Sequence, residues 1–314
     1  MVNSGAPRRT ERRPGEIAAV PVRHAGRWVA AGIVLVLAAM LVHSLVTNAG
    51  YHWATIKSYL FAPEILHGVV ITLELTGAAM AIGIAGGIVL AIMRLSANPI
   101  VAGASWLYVY LFRGTPVLVQ LFLWYNLAYL YGHLGIGVPF GPHASASTNS
   151  LISALTAGIL GLGLNEAAYM AEIVRAGIIS VDAGQSEAAA SLGMRRLQIM
   201  FKIVLPQAMR VIVPPTGNET ISMLKTSSLV STVAVYDLFG ESQLLAARTY
   251  LPIPLFLMAS IWYLAMTTVL TIGQYYVERY YARGAARALP LTPFQRLRVT
   301  LPIWRLRPAG PVTE

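Results

Sequence analysis

Predominantly apolar runs long enough to cross a bilayer recur about six times along this 314-residue chain, and no other feature restricts its fold as much. In hydrocarbon every backbone N–H and C=O must find a partner inside the protein, so a spanning segment is a helix or a strand of a closed barrel. A barrel strand needs only about 10 residues and a helix about 20. The runs here have the helical length, which predicts an all-α, polytopic membrane protein with helices over about 28–46, 66–93, 117–131, 151–179, 212–239 and 253–277. Composition agrees: 56% of residues are hydrophobic and 11% charged, well under the quarter usual in soluble domains. The net charge of +10 does not point to nucleic acid, because the basic residues crowd the tails and the loops between apolar runs. With no cysteine, disulfides and thiolate metal sites are excluded. His133 and His143 have no third ligand at metal spacing, so no metal centre is expected.

Residues 1–27 form a basic, polar tail expected to be disordered, and 281–314 a second basic tail in which Trp304 can touch the membrane surface. The length of the leading tail and of the first apolar run argues for a membrane helix over 28–48 and against a cleaved leader. Pro99 to Phe112 reads as a short helix along the inner surface, and 132–150, rich in Gly, Pro, His and Ser, as an outer loop. Six spans put both tails on one side, with all but three of the 23 Lys and Arg residues; the exceptions are Lys57, Lys225 and Arg248. Loops rich in Lys and Arg stay inside, so both termini are expected to be cytoplasmic.

One long stretch is amphiphilic. In Gly184–Pro215, Ser186 and Glu187 suit a helix start, Gly193 a sharp stop with positive φ, and Arg195–Leu205 a second, basic helix that Pro206 ends. The result is a basic hairpin outside the bilayer, over 184–207.

These residues carry a resemblance. Glu187-Ala188-Ala189 with Gly193 resembles the EAA cytoplasmic loop of ABC importer permeases. Arg113-Gly114-Thr115-Pro116 with Gln120, Ala168-Tyr169 to Glu172 and Arg175, and Gly217-Asn218-Glu219 to Lys225-Thr226 are similar to the polar amino-acid branch of that family, the histidine, glutamine and arginine type. The four anchors occur in the expected order within about 66–280. The resemblance implies a five-helix permease core over those residues, to which the first helix is an addition. It implies that Glu187, Ala188, Ala189 and Gly193 form a coupling helix. It also implies a bacterial inner-membrane complex of two permease chains, identical or sister, with two ATPase subunits and an external solute-binding protein that delivers an amino acid.

The residues themselves locate candidate chemistry where lipid penalises polarity. Asn165 and Tyr169 share a helical face with Glu172, and Glu166 lies beside it. Glu172 and Arg175, three apart, are placed to pair. In the next helix Asn218, Ser222 and Lys225 fall on one line, with Glu219 and Thr226 alongside. Two readings stand at this point: a translocation path lined by hydrogen-bonding groups, or an internal network in which Glu219 or Glu166 pairs with Lys225.

No Gly-x-x-x-x-Gly-Lys-Ser/Thr loop is present to cradle ATP, nor a His-Glu-x-x-His or Gly-x-Ser-x-Gly motif. The chain is therefore expected to be a transport subunit without its own catalytic residues or cofactor, ATP and magnesium belonging to the partner ATPase. The rival is an ion-coupled secondary amino-acid transporter, in which Glu166, Glu219 and Lys225 would carry the coupling ion; such proteins often show inverted repeats, and none is visible here.

Overall fold

The computed structural model describes residues 25–137 and 143–281, so most of both basic tails, including Trp304, lies outside the described residues. Two compact units divide at Tyr51 and His52. The first holds α1 (Ala25–Thr47) and a short 3-10 turn, Ala49–Tyr51. Trp28, Val34, Leu35 and Met40 of α1 are all exposed, as suits a helix whose neighbour is lipid.

The second unit begins with α2 (Trp53–Tyr59) and α3 (Pro63–Arg94), where Pro63 occupies the first turn, the helical position that does not need its N–H. α4 (Pro99–Gly114) follows, capped by the Asn98 side chain on the Ile100 N–H at 2.9 Å. The chain continues through α5 (Val117–Tyr125), α6 (Leu127–Leu130), a hairpin of β1 (His133–Gly137) and β2 (His143–Ser147), and α7 (Thr148–Leu151). Then come α8 (Ala154–Ile179), α9 (Ala183–Ser191), α10 (Arg196–Ile199), α11 (Leu205–Thr226), α12 (Leu238–Thr249) and α13 (Pro252–Tyr281). The fold is all-α apart from the hairpin, which pairs antiparallel with His133 opposite Ser147.

Four stretches are long and apolar enough to cross a membrane, 26–47, 63–94, 196–233 and 252–281, and a fifth if the bent pair α4–α5 is one span. Although 26 residues long, α8 carries Glu166, Glu172 and Arg175 and falls outside that measure.

The helix expected from Pro99 forms: α4 is bent by 102° from α5 and is tied to its neighbours, Ser105 Oγ donating to Leu90 O at 2.7 Å and Tyr108 Oη to Leu164 O at 2.8 Å. Two expectations are corrected. The helix expected over 117–131 is interrupted at Asn126, whose amide turns back to Phe122 O. Pro206 does not end the basic helix either. Met200–Val204 is wound as a π-turn in which Leu205 N reaches Met200 O, and Pro206 then sits in the first turn of α11, where a missing N–H is harmless.

Helix pairing is closest where side chains vanish. A Cβ on Gly83 would lie 2.4 Å from Glu166 Cγ, and one on Gly87 2.4 Å from Met170 Cβ. These two glycines let α3 approach α8 backbone to side chain, the packing used where lipid supplies no hydrophobic drive between helices. At one end of the bundle α12 is fastened to α3 and α13. Asp237, fully buried, caps α12 by accepting from Gly240 N at 2.9 Å and from Tyr263 Oη at 3.1 Å, while Leu238 N donates to Thr72 Oγ1 at 3.0 Å.

Burial pushes the Asp237 carboxyl from its ordinary 3.8 up to about 6, although its hydrogen bonds oppose the shift. A carboxyl that binds its proton more tightly in the folded state makes stability fall as pH rises between those two values. Asp237→Asn keeps a competent cap and removes the titration. The difference in melting temperature between native protein and variant is therefore expected to change across pH 4–6, in the direction of native protein losing ground as pH rises. The slope corresponds to at most about 3 kcal/mol, and a pH-independent difference would show that the buried carboxyl does not titrate there.

Candidate functional site

The helices form a half-open cavity of about 460 Å³ at the place where α4 breaks into α5. One wall is the break, Arg113 to Val117; a second is α8, with Asn165, Glu166 and Tyr169; the third is α11, with Glu219, Ser222 and Thr226. Each wall follows from local sequence. Pro116 cannot donate an N–H, so α4 ends and Arg113 is left at the corner. α8 starts from Ser153, whose hydroxyl accepts from Thr156 N at 3.2 Å, and turns its polar stripe inward. α11 continues through Pro214 and Pro215, with Thr216 and Thr220 returning their hydroxyls to the carbonyls four residues back.

The charges are arranged for a ligand with both signs. Glu166 is only 4% exposed, and its Oε1 is buried with no hydrogen-bond partner. An unpaired buried carboxylate costs several kcal/mol in hydrocarbon surroundings unless something brings it a proton or a charge. Glu219, half-buried on the opposite wall, is within electrostatic reach of Glu166 and of Arg113. The Arg113 guanidinium sits 5.0 Å from the centre of the Tyr169 ring, a cation–π contact that holds it over α8.

Six of the eight path candidates line this cavity: Asn165, Glu166, Tyr169, Glu219, Ser222 and Thr226. Asn218 and Lys225 do not. Asn218 accepts from Gln274 Nε2 at 3.0 Å and is engaged with α13. Lys225 is exposed near the end of α11 and, among the described residues, forms no ion pair, so the alternative of an internal network with Glu219 or Glu166 is not seen there. Glu172 and Arg175 do pair, at 2.6 and 3.0 Å. Arg113 is a cavity residue that the polar stripes of the helices do not reveal, although a cation two residues before a helix-breaking Thr-Pro is a usable signal.

The basic hairpin forms as two helices. α9 begins earlier than expected: its cap is Asp182, accepting from Gly184 N at 2.7 Å, so Glu187 stands in the second turn and not at the N-terminus. Glu187 and Ala188 are exposed and Ala189 is buried. Gly193 ends the helix at φ 79° with open space around it.

Comparison with known proteins decides what this scaffold is. Residues 83–283 match the family described as binding-protein-dependent transport system inner membrane component. The chain belongs to that family. This permease is 46% identical to the arginine transport system permease protein ArgU of Corynebacterium glutamicum, over 88% of the permease and 87% of the relative. It is 36% identical to the glutamate/aspartate import permease protein GltK of Escherichia coli, over 73% of the permease and 97% of the relative. Among solved structures, an amino acid ABC transporter crystallised with histidines shares 35% identity and a TM-score of 0.60, covering 70% of the permease and 95% of that chain. The inward-facing MetNI methionine transporter shares the fold at 17% identity and a TM-score of 0.54, covering 72% of the permease and 97% of that chain.

Proposed function

We propose that the permease is the membrane subunit of an ATP-driven importer for cationic amino acids, arginine above all, and that the cavity is where substrate pauses within the membrane. The observation that carries this reading is the charge count of the walls: two carboxylates, Glu166 and Glu219, against one guanidinium, Arg113. A cationic amino acid presents the inverse, one carboxylate and two cations. Arg113 then meets the α-carboxylate, while the unpartnered Glu166 and Glu219 receive the ammonium and the side-chain cation; such charge-assisted bonds are the strong ones. Tyr169, Ser222 and Thr226 supply hydrogen bonds along the walls. The volume lies in the range of small-molecule sites, and a relative named for arginine points the same way.

The assembly is also proposed: two ATPase subunits, an external solute-binding protein and a second permease chain. Asn218 and Lys225 are exposed along α11, a side that we assign to the second chain. Glu187, Ala188, Ala189 and Gly193 meet the ATPase, with both termini cytoplasmic and six spans in all, α8 included. ATP and magnesium act in the partner. The ion-coupled alternative finds no support among the relatives.

The test is uptake of labelled arginine into proteoliposomes holding the complete transporter. Uptake is expected to need ATP on the ATPase side, to survive ionophores that collapse proton and sodium gradients, and to be competed by lysine but not by glutamate. Gradient-driven uptake without nucleotide would overturn the importer reading, and competition by glutamate the cationic one.

A further inference from the structure

The break between α4 and α5 is the least protected backbone in the cavity wall. In a continuous helix the carbonyl of Phe112 would accept from the N–H of residue 116, and residue 116 is proline. Phe112 O is thereby orphaned by the sequence itself, in a region where water cannot be counted on to replace the lost donor. The structure supplies two. Gln120 Nε2 donates to Phe112 O at 2.9 Å, and also to Thr115 O at 3.2 Å and Thr115 Oγ1 at 2.8 Å. Asn165 Nδ2, reaching across from α8, donates to the same Phe112 O at 2.9 Å and to Gln120 Oε1 at 3.2 Å. Gln120 is 6% exposed, so its amide has no competing solvent.

We propose that Gln120 and Asn165 are positioning residues: together they clip the α4–α5 break to α8 and so hold Arg113, the residue after Phe112, at the cavity wall. This changes the role of Asn165. Its donor nitrogen is already occupied by backbone and by Gln120, so its contribution to substrate runs through the placement of Arg113. A clip of this kind is rigid because each amide serves the other: Gln120 donates to the break through Nε2 while Oε1 receives Asn165, and Phe112 O accepts from both.

The proposal rests on the cavity reading, and the experiment separates the two. Equilibrium binding of labelled arginine is measured on the purified transporter complex without its binding protein, for Gln120→Met, Asn165→Leu and Arg113→Met alone and in pairs. The first two substitutions keep shape and add no charge. Arg113→Met alone, and Gln120→Met alone, are each expected to weaken binding about tenfold or more, the size of a lost hydrogen bond to a charged group. In the Arg113→Met background, Gln120→Met and Asn165→Leu are expected to cost nothing further, and Asn165→His, which retains an N–H donor, to recover part of the loss in an otherwise native chain. Full additivity with Arg113→Met, or native affinity in Gln120→Met, overturns the clip while leaving the cavity standing. Native affinity in Arg113→Met overturns the cavity reading itself. Should Gln120→Met fail to assemble, Asn165→Leu, which leaves the Gln120 bonds to the break in place, carries the same comparison.

Discussion

Glu166→Gln is expected to lower arginine transport by one to two orders of magnitude while leaving the protein as heat-stable as before, or more so. The two halves have one cause. A carboxylate that is 4% exposed with one oxygen unpartnered is a burden on the fold, and its isosteric amide relieves that burden. Function moves the other way, because a charge-assisted hydrogen bond to the substrate cation contributes about 1.5–3 kcal/mol, or roughly 10- to 100-fold in affinity. Glu219→Gln on the opposite wall is expected to act in the same sense but less strongly, since it is only half-buried. The check is arginine-stimulated ATP hydrolysis by the reconstituted complex beside a thermal melt of the same preparation. A variant that loses transport and stability together would make Glu166 a scaffold residue.

The second large effect is expected at the hairpin. Gly193→Val forces a β-branched residue into φ 79°, a conformation costing about 1–3 kcal/mol for a residue with a Cβ. Because nothing lies within 4 Å of the site, the cost is conformational and not a clash within the chain. The end of α9 should unwind or tilt. Glu187→Lys, on an exposed turn, should leave the helix intact and reverse one charge on the surface assigned to the ATPase. Both variants are expected to insert and to bind arginine, yet to reduce ATP-driven uptake to near background, with ATPase subunits lost on pull-down in at least Gly193→Val. Normal uptake in both would remove α9 from the coupling role.

How much of this was legible beforehand follows from what one chain can encode locally. Hydrophobic runs marked the long helices, and Glu172 with Arg175 could be paired from spacing alone, because those contacts lie within one element. Pro116 marks an interruption in the sequence, but the partners of the 102° turn are not local: Asn165, whose bond to Phe112 O spans 53 positions, comes from α8. Pro206 misled because a π-turn can move the proline into a first-turn position, an adjustment no propensity reveals. Spacing along α11 put Asn218, Ser222 and Lys225 on one line with Glu219 and Thr226 alongside, but it could not tell which of them face the cavity and which face α13 or the outside. Hence Glu219, Ser222 and Thr226 met Glu166, while Asn218 went to Gln274 and Lys225 stayed exposed.

The central claim is that the charged cavity of this permease holds a cationic amino acid. Its most direct test is a binding isotherm of labelled arginine on the purified nucleotide-free complex, without the binding protein, for native protein and Glu166→Gln. The account predicts saturable binding to native protein, displaced by lysine and not by glutamate, and weakened at least about tenfold in the variant. Equal affinity in the two, or no saturable binding to native protein, would contradict it.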